Sequence, residues 1–347
     1  MPDATLPDAS APVPLKWIGP LTLCTETGTE SLEIPLATYE TPLWPSTRRG
    51  AQVSRQCGGI RCTLVDDRMT RSILLEAPHA AEALRVATYA REQKALLQSL
   101  TAETSRYARL LETHHQIVGN LLYLRFAFET GDASGHNMAT QAADRILHAL
   151  LEHFPTLKHV SVSGNYCTDK KVSAVNGILG RGKYVVTEAL IPANVLRRHL
   201  KTTAGAIAEL NVRKNLIGTL LAGGTRTANA HVANILLAFY LATGQDAANI
   251  IEGSQAITHA EARGDDLYFS VTFPNLILGT VGNGKDLPFV GEILQRLGCR
   301  ENRPPAENAR RLAKLCAAAA WCGELSLMAA LTHPGELIQA HLRLERP

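Results

Sequence analysis

Charged residues gather in the stretch SGNYCTDKK, residues 163–171, immediately after the apolar alternating run LKHVSV. Alternation of this kind predicts a strand that is partly buried. The charged and amide side chains that follow it are Asn165, Asp169, Lys170 and Lys171. Such groups at the end of a core strand are candidates for a binding or catalytic site, although adjacent lysines more often form a solvated face. The stretch alone leaves both interpretations open.

Three further polar clusters interrupt apolar surroundings. Glu40 lies in TYETPLWPSTRRG, Asp246 in GQDAAN and His341 in ELIQAHLRLERP. Each also has a structural interpretation: a loop glutamate in solvent, an aspartate that caps the next helix, and a histidine on a short amphipathic helix. Read one at a time, these clusters do not define a site.

The stretch TGDASGHNM, residues 130–138, is a glycine-bearing turn between a predicted strand and a predicted helix. Backbone N–H groups at the start of a helix bind anions. The turn lacks the spacing G-x-G-x-x-G, so it is no dinucleotide fingerprint of the Rossmann type. It is a weak indication of an anion site when taken alone.

The elements that must position these clusters fall into two units. Residues 71–163 read as strand, helix, hairpin, helix and strand, the βαββαβ order of a ferredoxin-like fold. The helical spacing extends over HAAEALRVATYAREQKALLQSL, and Gly119 and Asn120 separate the two hairpin strands. We expect this unit to be inserted into a larger α+β domain formed by residues 15–70 and 164–347. Residues 1–14 read as a flexible lead-in.

The larger domain is predicted to contain long buried helices. NAHVANILLAFYLATG is apolar nearly all round, and residues 306–331 read as a second long helix that follows Pro304 and Pro305. A strand-like run, LYFSVTFPNLILGTVG, lies between them. The alanine-rich run of residues 315–331 is interrupted by Glu324, which favours a core helix over a membrane span.

Composition limits the class of protein. The chain has 347 residues, 46% of them hydrophobic, and a net charge of +3. A nearly balanced charge argues against a broad nucleic-acid surface, and the N-terminus lacks the basic and apolar regions of a signal peptide. Seven cysteines without a CxxC pair predict free thiols, no metal site and a cytoplasmic protein.

Taken together, the motifs resemble those of hydroxymethylglutaryl-CoA reductases, and more the eukaryotic and archaeal type than the bacterial degradative type. The motifs that carry the resemblance, in chain order, are MTR, TSRYARL, GDASGHNM, SGNYCTDKK with GRGK after it, NAHVANI, GQDAAN, ENARRLAKL and GELSLMAAL. The resemblance implies an enzyme that reduces hydroxymethylglutaryl-CoA with two NADPH to mevalonate and CoA, for isoprenoid synthesis. It also implies that the inserted unit binds NADPH and that the larger domain binds the acyl-CoA.

The resemblance assigns roles residue by residue. The catalytic residues it implies are Glu40 as proton donor, Lys170 as the cation that stabilises the oxyanion, Asp246 as the partner of this lysine, and His341 as the acid for the departing thiolate. The implied substrate-binding residues are Arg71, Ser163, Asn165, Asp169, Lys171, His231 and Asn234. The implied cofactor-binding residues are Ser105, Arg106, Asp132, Gly135 and Asn137. We expect Lys170 to lie within bonding reach of both Glu40 and Asp246, in a homodimer or higher even oligomer whose active site is at the subunit interface.

Two other functions compete with this interpretation. A segment ENVIG, typical of the family, is not recognisable near KWIGPLTL, which favours an impaired relative that binds acyl-CoA or nucleotide as a partner protein. The βαββαβ unit is also compatible with an RNA-binding module in which Tyr123, Phe126 and Phe128 stack on bases. The balanced charge argues against RNA, and the four implied catalytic residues argue against the impaired relative.

Overall fold

One long strand connects the two parts of the protein. In the computed structural model, which describes residues 11–25, 28–336, 338, 339 and 342, this strand is β3 (Ile60–Glu76). The strands are β1 (Leu15–Thr25), β2 (Gly28–Ala37), β3, β4 (Arg109–Val118), β5 (Leu121–Glu129), β6 (Lys158–Ser161), β7 (Gly182–Ile191), β8 (Ile257–Arg263) and β9 (Asp266–Leu276). The helices are α1 (Leu43–Gln56), α2 (Ala80–Glu92), α3 (Lys94–Thr104), α4 (His136–His153), α5 (Ala174–Leu179), α6 (Ala193–Val195), α7 (Ala204–Leu210), α8 (Thr219–Leu221), α9 (Val232–Ala242), α10 (Ile250–Gly253), α11 (Pro288–Arg296) and α12 (Glu307–Leu331). Short π-helical segments span Leu196–Leu200 and Asn211–Gly218, and a 3₁₀ turn spans Ala247–Asn249.

The first half of β3 belongs to a large mixed sheet with the strand order β2-β1-β3-β7-β9-β8. The pairing of β1 with β3 is parallel, and the other neighbours are antiparallel. The second half of β3 pairs antiparallel with β5 and β6, and β5 pairs with β4. The protein is therefore α+β, and residue 71, where we expected the smaller unit to begin, lies within a continuous strand.

The smaller unit follows the predicted order of elements with one difference. The hairpin β4–β5 turns at Gly119 and Asn120, as predicted. The single helix predicted after β3 is instead two helices, α2 and α3, which meet at Gln93. Buried Ala90 and Leu97 lie seven residues apart across this break, close to two helical turns. Because the apolar spacing continues through the break, periodicity could not locate it.

Two separate apolar cores stabilise the two parts of the fold. The smaller core contains Phe126 and Phe128, both fully buried between the sheet and its helices. These two rings are not available to stack on bases, which removes the basis of the RNA-binding alternative.

The larger core is built around α12, which packs on α1 and on β7 and β9. Helix α1 approaches α12 so closely that a Cβ atom on Gly50 would lie 2.0 Å from the carbonyl oxygen of Cys322. By length and composition α12 is apolar enough to cross a membrane, but 89% of its most apolar window is buried inside the protein. This burial is the pattern of a core helix, as the sequence predicted.

Candidate active site

A cleft of about 670 Å³ opens where four segments meet. The segments are the turn before α4, the loop of residues 163–171, the residues that follow α9, and the loop of residues 281–285. The cleft is lined by Arg71, Ala133, Ser134, Gly135, His136, Asn137, Met138, Asp169, Lys170, Gly244, Gln245, Asp246, Val281, Gly282, Asn283, Gly284 and Lys285. It therefore brings the predicted anion-binding turn to the predicted catalytic lysine.

Lys170 pairs with Asp246 in this cleft. The Lys170 ammonium lies 2.6 Å from a carboxylate oxygen of Asp246, although 76 residues separate them in the chain. The hydrogen bond that Lys170 donates to Asp246 raises the pKa of Lys170, so its ammonium is charged at neutral pH. Burial acts to raise the pKa of Asp246, but the hydrogen bonds from Lys170 and the Ala248 N–H, together with the charge of Lys170, lower it. Asp246 also accepts a bond from the Ala248 N–H, so the structural role considered for it, capping a helical turn, holds as well.

The backbone of the loop is held in an uncommon conformation at Lys170. Its φ is +53°, and that of Thr168 is +43°, in the left-handed region that non-glycine residues rarely adopt. Such conformations persist where the surrounding contacts over-determine them. Here the Lys170 N–H donates to a carboxylate oxygen of the fully buried Glu252 at 3.0 Å.

Behind the loop lies a buried ion cluster that the sequence did not predict. The Arg181 guanidinium, which is fully buried, lies 2.5 Å from Asp169 and 3.4 Å from Glu252. Burial acts to raise the pKa of Asp169, but its bond with His136 and the charges of Arg181 and Arg71 lower it well below the usual range. Burial raises the pKa of Glu252. The only sequence signal for Arg181 was the short motif GRGK, which says nothing about its partners.

The other predicted substrate residues of this region surround the same loop. Arg71, on β3, is nearly buried and donates to the Ser163 hydroxyl at 3.2 Å. The Lys171 ammonium donates to the Asp169 carbonyl at 3.0 Å. Asn165 has a φ of +59° and its carbonyl accepts the Thr168 N–H, so it forms the turn of the loop.

Glu40 lies elsewhere in the folded chain. Its carboxylate accepts a hydrogen bond from the exposed Asn234 side chain at 3.0 Å, near the start of α9. Asp246 follows the opposite end of α9, whose eleven residues span about 16 Å. A single chain therefore brings Lys170 to Asp246 and does not bring Glu40 to Lys170. The expected contact of all three groups is not made within one copy.

Glu324 of α12 positions the start of α9. Its fully buried carboxylate accepts the N–H groups of Ala230 and His231 at 2.9 and 2.6 Å, and the Thr258 hydroxyl at 3.1 Å. The His231 ring also bonds to the Gly323 carbonyl at 2.9 Å. Glu324 therefore holds His231 in place, whereas the sequence showed it only as an interruption of an apolar run.

The predicted cofactor residues divide into two groups. Gly135 and Asn137 line the cleft. Among the residues that the structure describes, no side chain caps the helix that begins after Gly135, so its first N–H groups can bind a phosphate. Asp132 is engaged instead by the Ala306 and Ala309 N–H groups at the start of α12.

Ser105 and Arg106 lie at the end of α3, outside the residues that line the cleft, and Arg106 rests over the Tyr107 ring. An uncapped helix start facing a glycine-rich loop fits the phosphates of a dinucleotide.

In the part of the chain that the structure describes, no cluster of three His, Cys, Asp or Glu side chains forms a metal site. His341 lies outside the described residues.

Three comparisons place the chain among known proteins. Residues 9–346 match the family model for hydroxymethylglutaryl-coenzyme A reductase. The chain is 44% identical to the 3-hydroxy-3-methylglutaryl-coenzyme A reductase of Aeropyrum pernix, over 98% of this chain and 81% of that protein. It is 42% identical to the reductase of Strongylocentrotus purpuratus, over 96% of this chain and 36% of that protein. Its fold is similar to the class II reductase from Streptococcus pneumoniae, solved bound to NADPH, with a TM-score of 0.73, 18% identity, and coverage of 94% of this chain and 86% of that one.

Proposed function

The chain belongs to the hydroxymethylglutaryl-coenzyme A reductase family, and we propose on this basis that it reduces (S)-3-hydroxy-3-methylglutaryl-CoA to (R)-mevalonate and CoA with two NADPH. The reductases of Aeropyrum pernix and Pyrococcus abyssi, to each of which the chain is 44% identical, are archaeal, in keeping with the resemblance to the eukaryotic and archaeal type. The observation that carries the proposal is the pair Lys170–Asp246, 2.6 Å apart, in a cleft that also contains the uncapped start of α4.

In this proposal the residues of the cleft stabilise and bind negatively charged groups of the substrate. NADPH, when bound, supplies the hydride. The Lys170 ammonium stabilises the oxyanion that develops on the substrate carbonyl, and Asp246 keeps this ammonium charged and aimed. Arg71, beside Ser163, binds the terminal carboxylate of the substrate together with Lys171, because a guanidinium can bind a carboxylate through two parallel hydrogen bonds.

Two further side chains donate protons in this proposal. Glu40 donates a proton to the reduced carbonyl oxygen, while Asn234 orients its carboxyl. His341 protonates the departing CoA thiolate, whose thiol has an ordinary pKa of about 8.5.

The cofactor is bound by the smaller unit, residues 71–163. Its strand order is β6-β3-β5-β4, and its elements follow the chain order βαββαβ with α2 and α3 in the place of the first helix. Both features support a ferredoxin-like fold. Gly135 and Asn137 bind the phosphates of NADPH through backbone N–H groups, and Arg106 is available for a 2′-phosphate. Residues 15–70 and 164–347 bind the acyl-CoA, with His231 and Asn165 close to it.

A second copy of the chain completes the site. Glu40 and Lys170 lie at opposite ends of α9, so a partner chain must bring its own Glu40 to the Lys170–Asp246 pair. An apolar surface that precedes His231 supports a homodimer or higher even oligomer, because such patches mark protein interfaces. The exposed residues of this surface are Val212, Leu216, Ile217, Leu220 and Leu221. The cytoplasmic location stays a prediction of the sequence.

An assay of substrate-dependent NADPH oxidation, run in parallel with NADH, tests the proposal. Lys170→Ala removes the cation that stabilises the oxyanion, and we expect turnover to fall by about 100-fold or more. Lys158→Ala is the matched control, because Lys158 is an exposed lysine in a surface ion pair with Glu76 and its loss changes little. A folded, dimeric parent protein that oxidises neither cofactor with this substrate would rule the proposal out.

A further inference from the structure

The loop of residues 281–285 carries a lysine to which the proposed reaction gives no role. Lys285 lines the cleft, yet only 4% of the residue is exposed. Among the residues that the structure describes, no carboxylate lies within 4.0 Å of its ammonium, which donates to the Asn283 carbonyl oxygen at 3.2 Å. An ammonium has three donors, and a lysine is almost never fully buried without a partner for its charge. Within the described part of the chain, Lys285 is therefore a buried cation without an anion.

The other charged side chains of the cleft lining already have partners or roles. Lys170 pairs with Asp246, and Asp169 belongs to the buried ion cluster. Arg71 binds the terminal carboxylate of the substrate in the proposed reaction. Of the lysines and arginines that line the cleft, Lys285 is the one that is left for another negatively charged group.

The backbone that carries Lys285 is fixed next to the catalytic pair. Gly284 has a φ of +83°, and a Cβ atom there would lie 2.6 Å from the carbonyl oxygen of Gly244, two residues before Asp246. The Lys285 carbonyl accepts a hydrogen bond from the Arg300 guanidinium at 2.6 Å. These contacts hold the loop against the segment of Asp246, so the lysine side chain starts from a defined position in the cleft.

The same loop adjoins the turn before α4. The Thr280 N–H donates to the Asp132 carbonyl at 2.8 Å, and a Cβ atom on Gly279 would lie 2.4 Å from the Ser134 nitrogen. That turn leads into the uncapped start of α4, whose N–H groups are proposed to bind the cofactor phosphates. The loop of Lys285 therefore borders the proposed phosphate site.

We propose that Lys285 binds the diphosphate of NADPH together with the first N–H groups of α4. This inference rests on the proposed function and names a residue that this function does not use. Each phosphate of the diphosphate carries a negative charge, and lysine binds phosphate because its ammonium acts as a point charge. The ligand thus supplies the anion that the described side chains do not provide for this buried cation.

A buried cation that waits for its ligand costs stability in the ligand-free protein. Burial lowers the pKa of Lys285, and the charges of Asp246 and Asp286 act in the opposite direction without restoring it. Methionine has a side chain of similar length and no charge. Lys285→Met should therefore raise the midpoint of thermal unfolding of the ligand-free protein, by about 2 °C, while it weakens the binding of NADPH. Loss of a lysine that only stabilises the loop would lower this midpoint.

The test is binding of NADPH and of hydroxymethylglutaryl-CoA, each alone, to the full chain by calorimetry. CoA also contains a diphosphate, so the two ligands distinguish the two sources of this group. We expect Lys285→Met to bind NADPH about tenfold more weakly, as for the loss of a hydrogen bond to a charged group, and to bind the acyl-CoA as tightly as the parent. Lys158→Met is the matched control, because Lys158 is exposed and lies in a surface ion pair. It should follow the parent with both ligands.

Two further measurements identify the phosphate and the role of charge. NADH contains the diphosphate but lacks the 2′-phosphate, so its affinity should fall by the same factor in Lys285→Met. Where NADH binds too weakly to titrate, kcat/KM for NADH replaces its affinity. The affinity ratio of parent to variant should also shrink as KCl is raised from about 0.05 to about 0.5 M, because salt screens the attraction between charges. A purely structural role gives a ratio that salt does not change.

An unchanged NADPH affinity in Lys285→Met overturns the inference. A loss with NADPH but not with NADH, an equal loss with the acyl-CoA, or a ratio independent of salt overturns it as well. Lys285→Gln also removes the charge and should show the same changes, and unfolding midpoints below that of the parent in both variants contradict the proposal. The outcome is separable from the proposed function. A parent that binds no NADPH and turns over no substrate contradicts that function, whereas a parent that does both, with unaffected variants, contradicts only the role of Lys285.

Discussion

At the scale of single residues, the site depends on carboxylates that differ in what surrounds them. Asp246 is half-exposed and meets one cation, Lys170, whereas Asp169 and Glu252 share the fully buried Arg181. The first pair is poised in the cleft and available to a substrate. The second set is structural. Through the hydrogen bond that Glu252 accepts from the Lys170 N–H, it fixes the strained backbone that presents the lysine.

Asp169→Asn tests the structural part of this division. Removing one partner of a buried ion pair leaves Arg181 with a weaker acceptor, and we expect a loss of about 3 kcal/mol of unfolding free energy at pH 7. The pKa of Asp169 is lowered in the folded state, so its contribution is present above an unfolded pKa of about 3.9 and is lost as the pH falls further. Denaturant unfolding between pH 7 and pH 2.5 measures this.

The difference between Asp169→Asn and the parent should shrink on the acid side of this range. Asp144→Asn is the control, since Asp144 is half-exposed and pairs with the exposed His148, and it should change stability by less than about 0.5 kcal/mol. A difference that stays constant down to pH 2.5 would show that the ionised Asp169 carboxylate contributes nothing.

Part of this site could be predicted from the sequence. The resemblance pointed to Lys170 and Asp246, and the structure brings these two together. The local sequence pattern could not predict the buried ion cluster behind the loop. Arg181 and Glu252 are in contact although they are 71 positions apart, and no motif near either residue indicates the other. His136 was quoted within a motif and received no role, since its partners come from two other segments of the chain.

At the scale of elements, α12 is the support on which the site is built. Its Glu324 holds the start of α9, and its middle packs against α1, the helix that follows Glu40. Periodicity and flanking prolines predicted this helix over residues 306–331, and the structure has it over Glu307–Leu331. The unbroken course of β3 through both sheets was not predictable, because its central charged stretch, residues 66–68, resembles a loop.

Gly50→Ala tests the packing of α1 on α12. A methyl group at residue 50 would lie 2.0 Å from the Cys322 carbonyl oxygen, so the helices must separate. We expect a loss of about 3 kcal/mol or more of unfolding free energy, at the upper end of overpacking effects. Gly205→Ala is the control, because Gly205 lies in α7 with no atom within 4 Å of the added carbon, and alanine there should stabilise the helix by up to about 1 kcal/mol. Equal stabilities of the two variants would contradict the close approach of the helices.

At the scale of the whole molecule, the proposed active site requires two chains. In one chain the Glu40–Asn234 pair and the Lys170–Asp246 pair are separated by the length of α9. Sequence resemblance predicted the three groups together in an active site at a subunit interface, and it could not say which of them one copy of the fold keeps apart. The central claim is that Glu40 of one chain serves the Lys170 of its partner.

Mixing two inactive variants measures this most directly. Glu40→Gln and Lys170→Ala chains are purified separately, unfolded, mixed in equal amounts, refolded, and assayed for NADPH oxidation with hydroxymethylglutaryl-CoA. If the partner chain supplies Glu40, half of the dimers are mixed and each contains one intact site, so the mixture regains about one quarter of the parent activity by random assortment. If Glu40 and Lys170 of the same chain form each site, every site in the mixture lacks one group, and activity no higher than that of the separate variants would contradict the account.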